Sequence, residues 1–589
     1  MESGDRLNNP IHHRRHIRII CIGAGASGLL FAYKLQRSFE AFSLTIYEKN
    51  EGVAGTWFEN RYPGVACDYP AHNYTYSFAP KPDWPSVYVS GPEIRGYFED
   101  FKSKHGLERY CKVKHQVNRA EWIDGTGEWR VQIKDLVGDC VVEETCDILI
   151  NAAGVLNQWR WPEIPGLHEF KGELMHSANW NEKTDLRGKR VGLIGNGSSG
   201  QQILESIQSS VAHLDHFIRQ GTWIFGPFGP ELPRAYTQTE LREFAETPGL
   251  LLELRKKNES RINSAFKAFL SDTKEQAEMR AHIEYEMKAK LQSLELEDMI
   301  IPRTGVGCRR PTPGINYLEK LTAGNVSVLC GEITKVTPKG CISSSGKEHP
   351  LDVLICATGF DTSYIPRFQL IGQDGATLMK EWATQPRAYL AIAAAKFPNY
   401  LIFYGPNNPF ASGPFLSTIE CQADYMLKLI DRYQTENIRS FVPKAEAVAD
   451  FMSHAVKILA RTVWAEDCRS WYQRVQKPRG SSNEEKMPSL SAAESLTIWP
   501  GSGLHYIEAM AEVRADDWDI TYRGNRFEWL GNGFSRTETD GESDLAWYVR
   551  ERDDGPYMSR EKRRRLQTRR SSPVESADGK MLKGDISTD

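Results

Sequence analysis

Several common features are missing from this chain, and each absence narrows the function. No run of ~18 apolar residues occurs, so no integral membrane segment is expected. The first residues, MESGDRLNNPIHHRRH, lack the apolar stretch of a secretory signal. The 11 cysteines are scattered and form no CxxC pair. That argues against a disulfide framework and against a metal site, and it predicts a reducing compartment, the cytoplasm. A net charge of −4 gives no electrostatic reason to expect nucleic acid as a partner.

What is present fits a large globular protein. Hydrophobic residues make up 40% and charged residues 25%, and 589 residues allow roughly three or four domains.

Residues 17–22 (IRIICI) form an apolar run ending at Gly23, followed by a helical pattern through Leu29, Leu30 and Leu35 and a second run ending at Glu48. This is the strand–loop–helix–strand opening of a parallel α/β sheet. It recurs at 190–219, where RVGLI, a glycine loop, a helix and LDHFI follow one another. The fold class is therefore α/β, with two Rossmann-like dinucleotide-binding domains, a helical insertion and a C-terminal extension. Residues 1–16 read as a polar tail. The first nucleotide-binding domain is expected over 17–158 and again over 351–440, and the second over 159–231 and 301–350. Residues 232–300 are charged, glycine-poor and helix-periodic, and read as an insertion in the second domain. A C-terminal region spans 441–548, with a polar, turn-rich mobile loop near 471–494. From 549 to 589 the chain is charged and poor in apolar residues, which predicts disorder. Its KRRRLQTRR run (562–570) reads as part of a solvated tail.

Gly23-Ala24-Gly25-Ala26-Ser27-Gly28 fits GxGxxG between a strand and a helix. Gly23 allows the tight turn, Gly25 lets the backbone approach a pyrophosphate, and Gly28 permits close helix–strand packing. The helix N-terminus at Ser27 attracts phosphate. Glu48, 20 residues after Gly28, supplies a carboxylate for the ribose hydroxyls of a dinucleotide. Gly195-Asn196-Gly197-Ser198-Ser199-Gly200 repeats the fingerprint, but the following strand runs into Arg219 rather than an acid. A cation there suits a 2′-phosphate, so the second dinucleotide is expected to be NADPH. DILINAAG (147–154) and DVLICATGFD (352–361) look like strands crossing between the two lobes.

Two longer signatures carry a family resemblance. Ala54-Gly55-Thr56-Trp57, Tyr62-Pro63-Gly64 and Asp68 meet (A/G)GxWxxxx(F/Y)PGxxxD in full. Phe170 to Asn181 (FKGELMHSANWN) resembles FxGxxxHxxxW(P/D), departing at Asn181. With both in order, residues 17–475 resemble the Baeyer–Villiger group of two-dinucleotide flavoprotein monooxygenases. The stretches ENRYPGVACDYPAHNYTYSF and LHYIEA are similar to fungal members that tailor polyketides and other secondary metabolites.

The resemblance implies FAD, NADPH and O₂ acting on a small-molecule ketone, with oxygen inserted beside the carbonyl by way of a flavin peroxide to give an ester or lactone. A residue that stabilises negative charge without giving up a proton is required, and arginine meets that need. The segment GCRRPTPGINY (307–317) aligns with the family's arginine segment, which assigns the catalytic role to Arg310. Asp68 would orient and temper it, and Arg309 would join Arg219 near the 2′-phosphate. Thr56, Trp57 and Tyr74 fall in the FAD-contacting block, and Trp471 resembles a tryptophan that contacts NADP. A core position for Trp471 is the other reading. Gly405–Glu420 resembles the stretch that approaches the flavin ring. His176 is expected to pack at the hinge between lobes rather than act as a base. N- or S-oxygenation, or an NADPH-dependent reductase, are the alternative activities, and oligomeric state is not readable.

Overall fold

The computed structural model describes residues 3–226, 232–314, 316–473, 490–553 and 559–563. Most of the expected mobile loop (474–489) and most of the basic tail lie outside these residues. The chain divides into two compact units, one of Met1–Ser3 with His12–Trp529 and a smaller one of Gly4–Ile11 with Leu530–Asp589. Within the smaller unit the backbone N–H groups of Asn532 and Ile11 donate to the carbonyls of Asn9 and Phe534.

The larger unit is built on two parallel sheets. In the first the strand order is Tyr400–Ile402, Ile148–Asn151, Ile17–Ile22, Phe42–Glu48 and Cys111–Val113. In the second it is Val326–Cys330, His213–Ile218, Arg190–Ile194, Val353–Cys356 and Glu173–His176. Apart from Arg18 and Arg190 near their starts, the central strands Ile17–Ile22 and Arg190–Ile194 are apolar, because both faces are covered as parallel sheets require. Ile19, Cys21, Ile148 and Ile150 lie in one core, and Val191, Leu193, Val353 and Ile355 in another.

Each half-sheet places a glycine loop at the carboxyl end of its first strand. Ile22 pairs with Tyr47, and the Gly23 N–H donates to the Tyr47 carbonyl. Ile194 pairs with Phe217, and the Gly195 N–H donates to the Phe217 carbonyl. The two loops thus match in hydrogen bonding as well as in sequence.

Two expectations are corrected. Val353–Cys356 lies inside the second sheet, between Arg190–Ile194 and Glu173–His176. The chain therefore returns toward the first sheet after this strand and not at 351. Its run of four buried residues looks alike in either sheet, so pattern alone could not assign it. Second, Cys308 and Cys468 form a disulfide, against the expectation drawn from cysteine spacing. They are separated by 160 residues, so spacing gives no hint of their meeting.

Helices occupy Gln238–Glu246, Leu250–Asn263, Lys274–Leu291 and Leu294–Ile300. Thr237 caps the first with a capping box to Glu240, and Thr273 and Ser293 cap the third and fourth. A four-stranded sheet of Gln369–Ile371, His115–Ile123, Glu128–Asp135 and Cys140–Cys146, parallel at its first pair and antiparallel beyond, flanks the first lobe. In the C-terminal region Ile438–Pro443 pairs antiparallel with Trp518–Tyr522. Among the described residues no helix is long and apolar enough to cross a membrane.

Candidate active site

A cavity of about 920 Å³ runs from the first glycine loop to the arginine segment. Gly23, Gly25, Ser27, Glu48, Thr56, Trp57, Asp68, Tyr74, Ser198, Ser199, Arg310 and Trp471 all line it. Gly28, Gly195, Gly197, Gly200, Arg219 and Arg309 do not.

The first loop is shaped by three different constraints. Gly23 has φ +100°, where a side chain is strained, and a Cβ there would sit 2.7 Å from the Ala152 carbonyl oxygen. A Cβ on Gly28 would lie 2.1 Å from the Gly23 carbonyl oxygen, so the third glycine is required by the first. Gly25 lies against Gly55, whose own φ is +51°. The loop carrying Thr56 and Trp57 therefore crosses directly over the glycine loop, held by the Ala54 N–H to the Ala24 carbonyl. The helix Ala26–Ser38 has no acidic residue in its first turn, which leaves its positive end open to an anion.

Glu48 is buried. One carboxylate oxygen accepts the Ala24 N–H at 2.9 Å, and the other accepts the Asn50 N–H at 2.9 Å. Burial raises its pKa, and these two donors counter that rise. Each oxygen keeps a lone pair, and the side chain faces the cavity.

The second loop repeats the pattern. Gly195 has φ +105°, and a Cβ on Gly200 would lie 2.0 Å from the Gly195 carbonyl oxygen. A Cβ on Gly197 would meet nothing, so open space lies above the second glycine. Register refines the choice of cofactor. Ile194 faces Phe217, so the counterpart of Glu48 is the buried Ile218, with Arg219 one residue beyond. An apolar residue replaces the acid, and the cation follows it. Arg309 donates to the Gly221 carbonyl at 3.1 Å, and its pKa is lowered by burial and then by the charge of Arg219. Two positive charges therefore stand close enough to repel one another.

Arg310 and Asp68 meet across 242 residues of sequence. The guanidinium donates to both carboxylate oxygens, at 2.7 and 3.2 Å. Burial by itself would lower the Arg310 pKa, but the Asp68 charge and hydrogen bonds outweigh it and the net shift is upward. Arg310 is therefore a permanent cation inside the protein, with its guanidinium carbon 5.8 Å from the centre of the Phe410 ring.

Trp57 meets Tyr74 edge-on at 5.5 Å, and Tyr74 stacks near Phe415. Trp471 is half-buried, 4.9 Å from Phe410, so it faces the cavity while packing against neighbours. Residues of Gly405–Glu420 from Gly405 to Phe415 line the same space, ahead of the helix Phe415–Thr435.

His176 is fully buried and its pKa falls to about 4 through desolvation, so it is neutral. Its Nδ1 accepts the Ala178 N–H, which puts the proton on Nε2, toward Thr358 Oγ1 at 3.3 Å. Its ring stacks on Trp159 at 4.7 Å. Trp159 and Thr358 lie on the two segments that connect the sheets, and Trp159 bridges Phe360. His176 thus contacts both connecting segments, through Trp159 and Thr358. Asn181, the departure from the signature, accepts the Lys183 N–H and donates to Glu173, which closes a local turn.

Some contributors were not read from sequence. Tyr62 donates to Gln202, and Gln202 donates to the Ala66 carbonyl. Gly64 has φ +81°, and a Cβ there would lie 2.0 Å from Ser206 Oγ. The Tyr-Pro-Gly element therefore docks the Asp68 loop on the second lobe's helix Ser198–Ile207. Only the Tyr-Pro-Gly spelling signalled this. Ile262, Phe269 and Met279 of the inserted helices also line the cavity, which no motif marked.

A family model described as an NAD(P)-binding Rossmann-like domain matches residues 21–89. The FAD-binding monooxygenase tazF of Aspergillus terreus is 39% identical over 562 residues, covering 93% of this chain and 98% of that protein. A Baeyer-Villiger monooxygenase of Pseudomonas aeruginosa is 30% identical over 489 residues, covering 83% of this chain and 88% of its own length. The crystal structure of cyclohexanone monooxygenase from Rhodococcus sp. Phi1 bound to NADP+ superposes with a TM-score of 0.73 at 26% identity, covering 87% of this chain and 100% of that one. With full-length similarity at this level, and both nucleotide loops and the arginine–carboxylate pair in place, the chain belongs to the FAD-binding Baeyer–Villiger monooxygenase family.

Proposed function

We propose that this protein uses FAD, NADPH and O₂ to insert one oxygen atom beside a ketone carbonyl, with Arg310 and Asp68 at the reacting centre. The observation that carries this is the bidentate Arg310–Asp68 pair on the wall of the cavity that begins at the Gly23–Gly28 loop.

The residues suit the two cofactors. Gly23, Gly25 and Gly28 make the close-approach cradle, Ser27 opens an acid-free helix terminus, and Glu48 offers lone pairs to ribose hydroxyls; together these would hold FAD. Open space over Gly197, the Ser198–Ser199 helix start, and the Arg219 and Arg309 cations would hold NADPH. When bound, reduced FAD supplies the chemistry that activates O₂ and delivers one atom to the substrate.

Arg310 holds positive charge where negative charge develops on oxygen and cannot surrender a proton there. Asp68 fixes its fork and balances its charge. Thr56, Trp57, Tyr74, Phe410 and Trp471 all line the cavity, and the four aromatic side chains give it an apolar wall. The substrate is a small-molecule ketone, of the secondary-metabolite, polyketide type. The similar fungal relatives and the aromatic walls support that class. The cytoplasm is the proposed compartment, supported by nine free cysteines.

Incubation of the purified protein with FAD, NADPH, ¹⁸O₂ and a panel of ketones, amines and sulfides tests the reading. An ester or lactone carrying one ¹⁸O atom is expected. N- or S-oxides without any ester, or NADPH consumed without oxygenated product, would overturn it.

A further inference from the structure

Cys308 immediately precedes Arg309 and Arg310, and Cys468 lies three residues before Trp471. The two are joined by a disulfide with Cα atoms 6.2 Å apart, whereas the other nine cysteines are free. Both are buried. Around them, backbone and side chains already bind the two segments. The Gly305 N–H donates to the Glu466 carboxylate at 2.7 Å, and Gln220 donates to the Cys468 carbonyl at 2.7 Å. Within the Cys468 segment itself, Gln473 donates to the Glu466 carbonyl, also at 2.7 Å. The disulfide therefore sits where the arginine segment, the strand end that carries Arg219, and the Trp471 segment converge.

We infer that Cys308 and Cys468 are a redox-responsive positioning pair for the reaction proposed above, on which this inference rests. Oxidised, the pair locks the segment bearing Trp471 to the one bearing Arg309 and Arg310. Reduced, that link opens and the geometry at the NADPH end of the cavity loosens. In the thiol form Cys308 has the Glu466 carbonyl 3.4 Å away as an acceptor, so the reduced state is also accommodated. A disulfide in a reducing compartment is usually transient or redox-sensing, which fits a switchable link better than a permanent staple. The oxidant is a hydroperoxide. Two S–H bonds break and one S–S bond forms, while the O–O bond is reduced to an alcohol and water, or to two waters from hydrogen peroxide. A dithiol reverses the change, and burial makes both directions slow.

The test uses the full-length holoenzyme, treated for hours with hydrogen peroxide or with dithiothreitol and then freed of reagent. Peptide mapping after alkylation is expected to find Cys308 joined to Cys468 after oxidation only. The oxidised enzyme is expected to show a several-fold lower KM for NADPH and more product per NADPH consumed, with kcat largely kept. C308S and C468S should each match the reduced enzyme and ignore both reagents. Absence of the cross-linked peptide after oxidation, or equal NADPH KM and coupling in the two states, would overturn the inference. Peptide mapping and the NADPH KM need no ester product. A failure of the Baeyer–Villiger reading is therefore told apart from a failure of this one.

Discussion

Arg310 and Asp68 are the residues on which the chemistry turns, and their environments predict different losses. Arg310→Ala removes a fixed cation from the site of developing charge and is expected to cost at least ~10²-fold in ester formation. Flavin absorbance should be kept, because Arg310 is not part of the Gly23–Gly28 loop. An unchanged rate of ester formation would sink the assignment. Asp68→Ala leaves Arg310 largely buried without its counter-charge. Both partners keep some solvent exposure, so a loss of roughly 1–3 kcal/mol in unfolding free energy is expected rather than the full cost of a dry pair. Arg219 lies one residue beyond the strand His213–Ile218 and outside the cavity, where it would meet only the far end of a dinucleotide. Arg219→Ala should raise the NADPH KM about tenfold, the worth of one charge-assisted contact, and leave NADH turnover unchanged. Equal effects on both nucleotides would refute the 2′-phosphate role.

At the scale of elements, the two strand–loop–helix units show that identical glycines carry different constraints. Gly200 cannot hold a Cβ, because the Gly195 carbonyl oxygen would be 2.0 Å away, whereas Gly197 faces open space. Gly200→Ala is expected to lower stability by about 1–3 kcal/mol, since either the helix or the strand must shift. Gly197→Ala should fold with an unchanged melting temperature and yet raise the NADPH KM, because its new methyl occupies the space a pyrophosphate would use. Thermal unfolding beside steady-state kinetics separates the two. The Tyr-Pro-Gly element works on the same principle between lobes: Gly64 brings the Asp68 loop against Ser206, and Tyr62 and Gln202 fix it there.

Across the whole molecule, the stability should depend on pH through buried histidines. His72, His176 and His216 are each lowered to about 4, in every case chiefly by desolvation. Above the unfolded pKa of about 6.5 the folded and unfolded states are both neutral and the histidines add no pH dependence. As pH falls below about 6.5 the unfolded state takes up protons first, so stability declines until about pH 4, by up to roughly 3 kcal/mol per histidine. Melting temperatures should therefore drop between about pH 6.5 and pH 4, and His216→Gln should make the profile shallower. A flat profile in the parent protein would contradict the burial of these rings. His176 adds a functional link, because it stacks on one crossover and hydrogen-bonds the other. Its protonation would weaken the packing between those two segments.

The reaction class was readable only as what the family resemblance implied, whereas the sequence by itself determined the two nucleotide units. Those depend on local rules: a positive φ needs glycine, a helix terminus attracts phosphate, and an acid or a cation at a strand end selects the ribose. Such rules act over a few residues and leave spelled motifs, so Gly23–Gly28, Glu48, Gly195–Gly200 and the Trp57–Asp68 block were legible. Tertiary structure alone decided what depends on distant segments meeting. Register put Ile218, not Arg219, in the place of Glu48, and set Val353–Cys356 in the second sheet. Packing brought Asp68 to Arg310 across 242 residues, Cys308 to Cys468 across 160, and the inserted helices to the cavity wall. No periodicity or spacing encodes such meetings, because they are set by how two lobes pack and not by how any one segment folds.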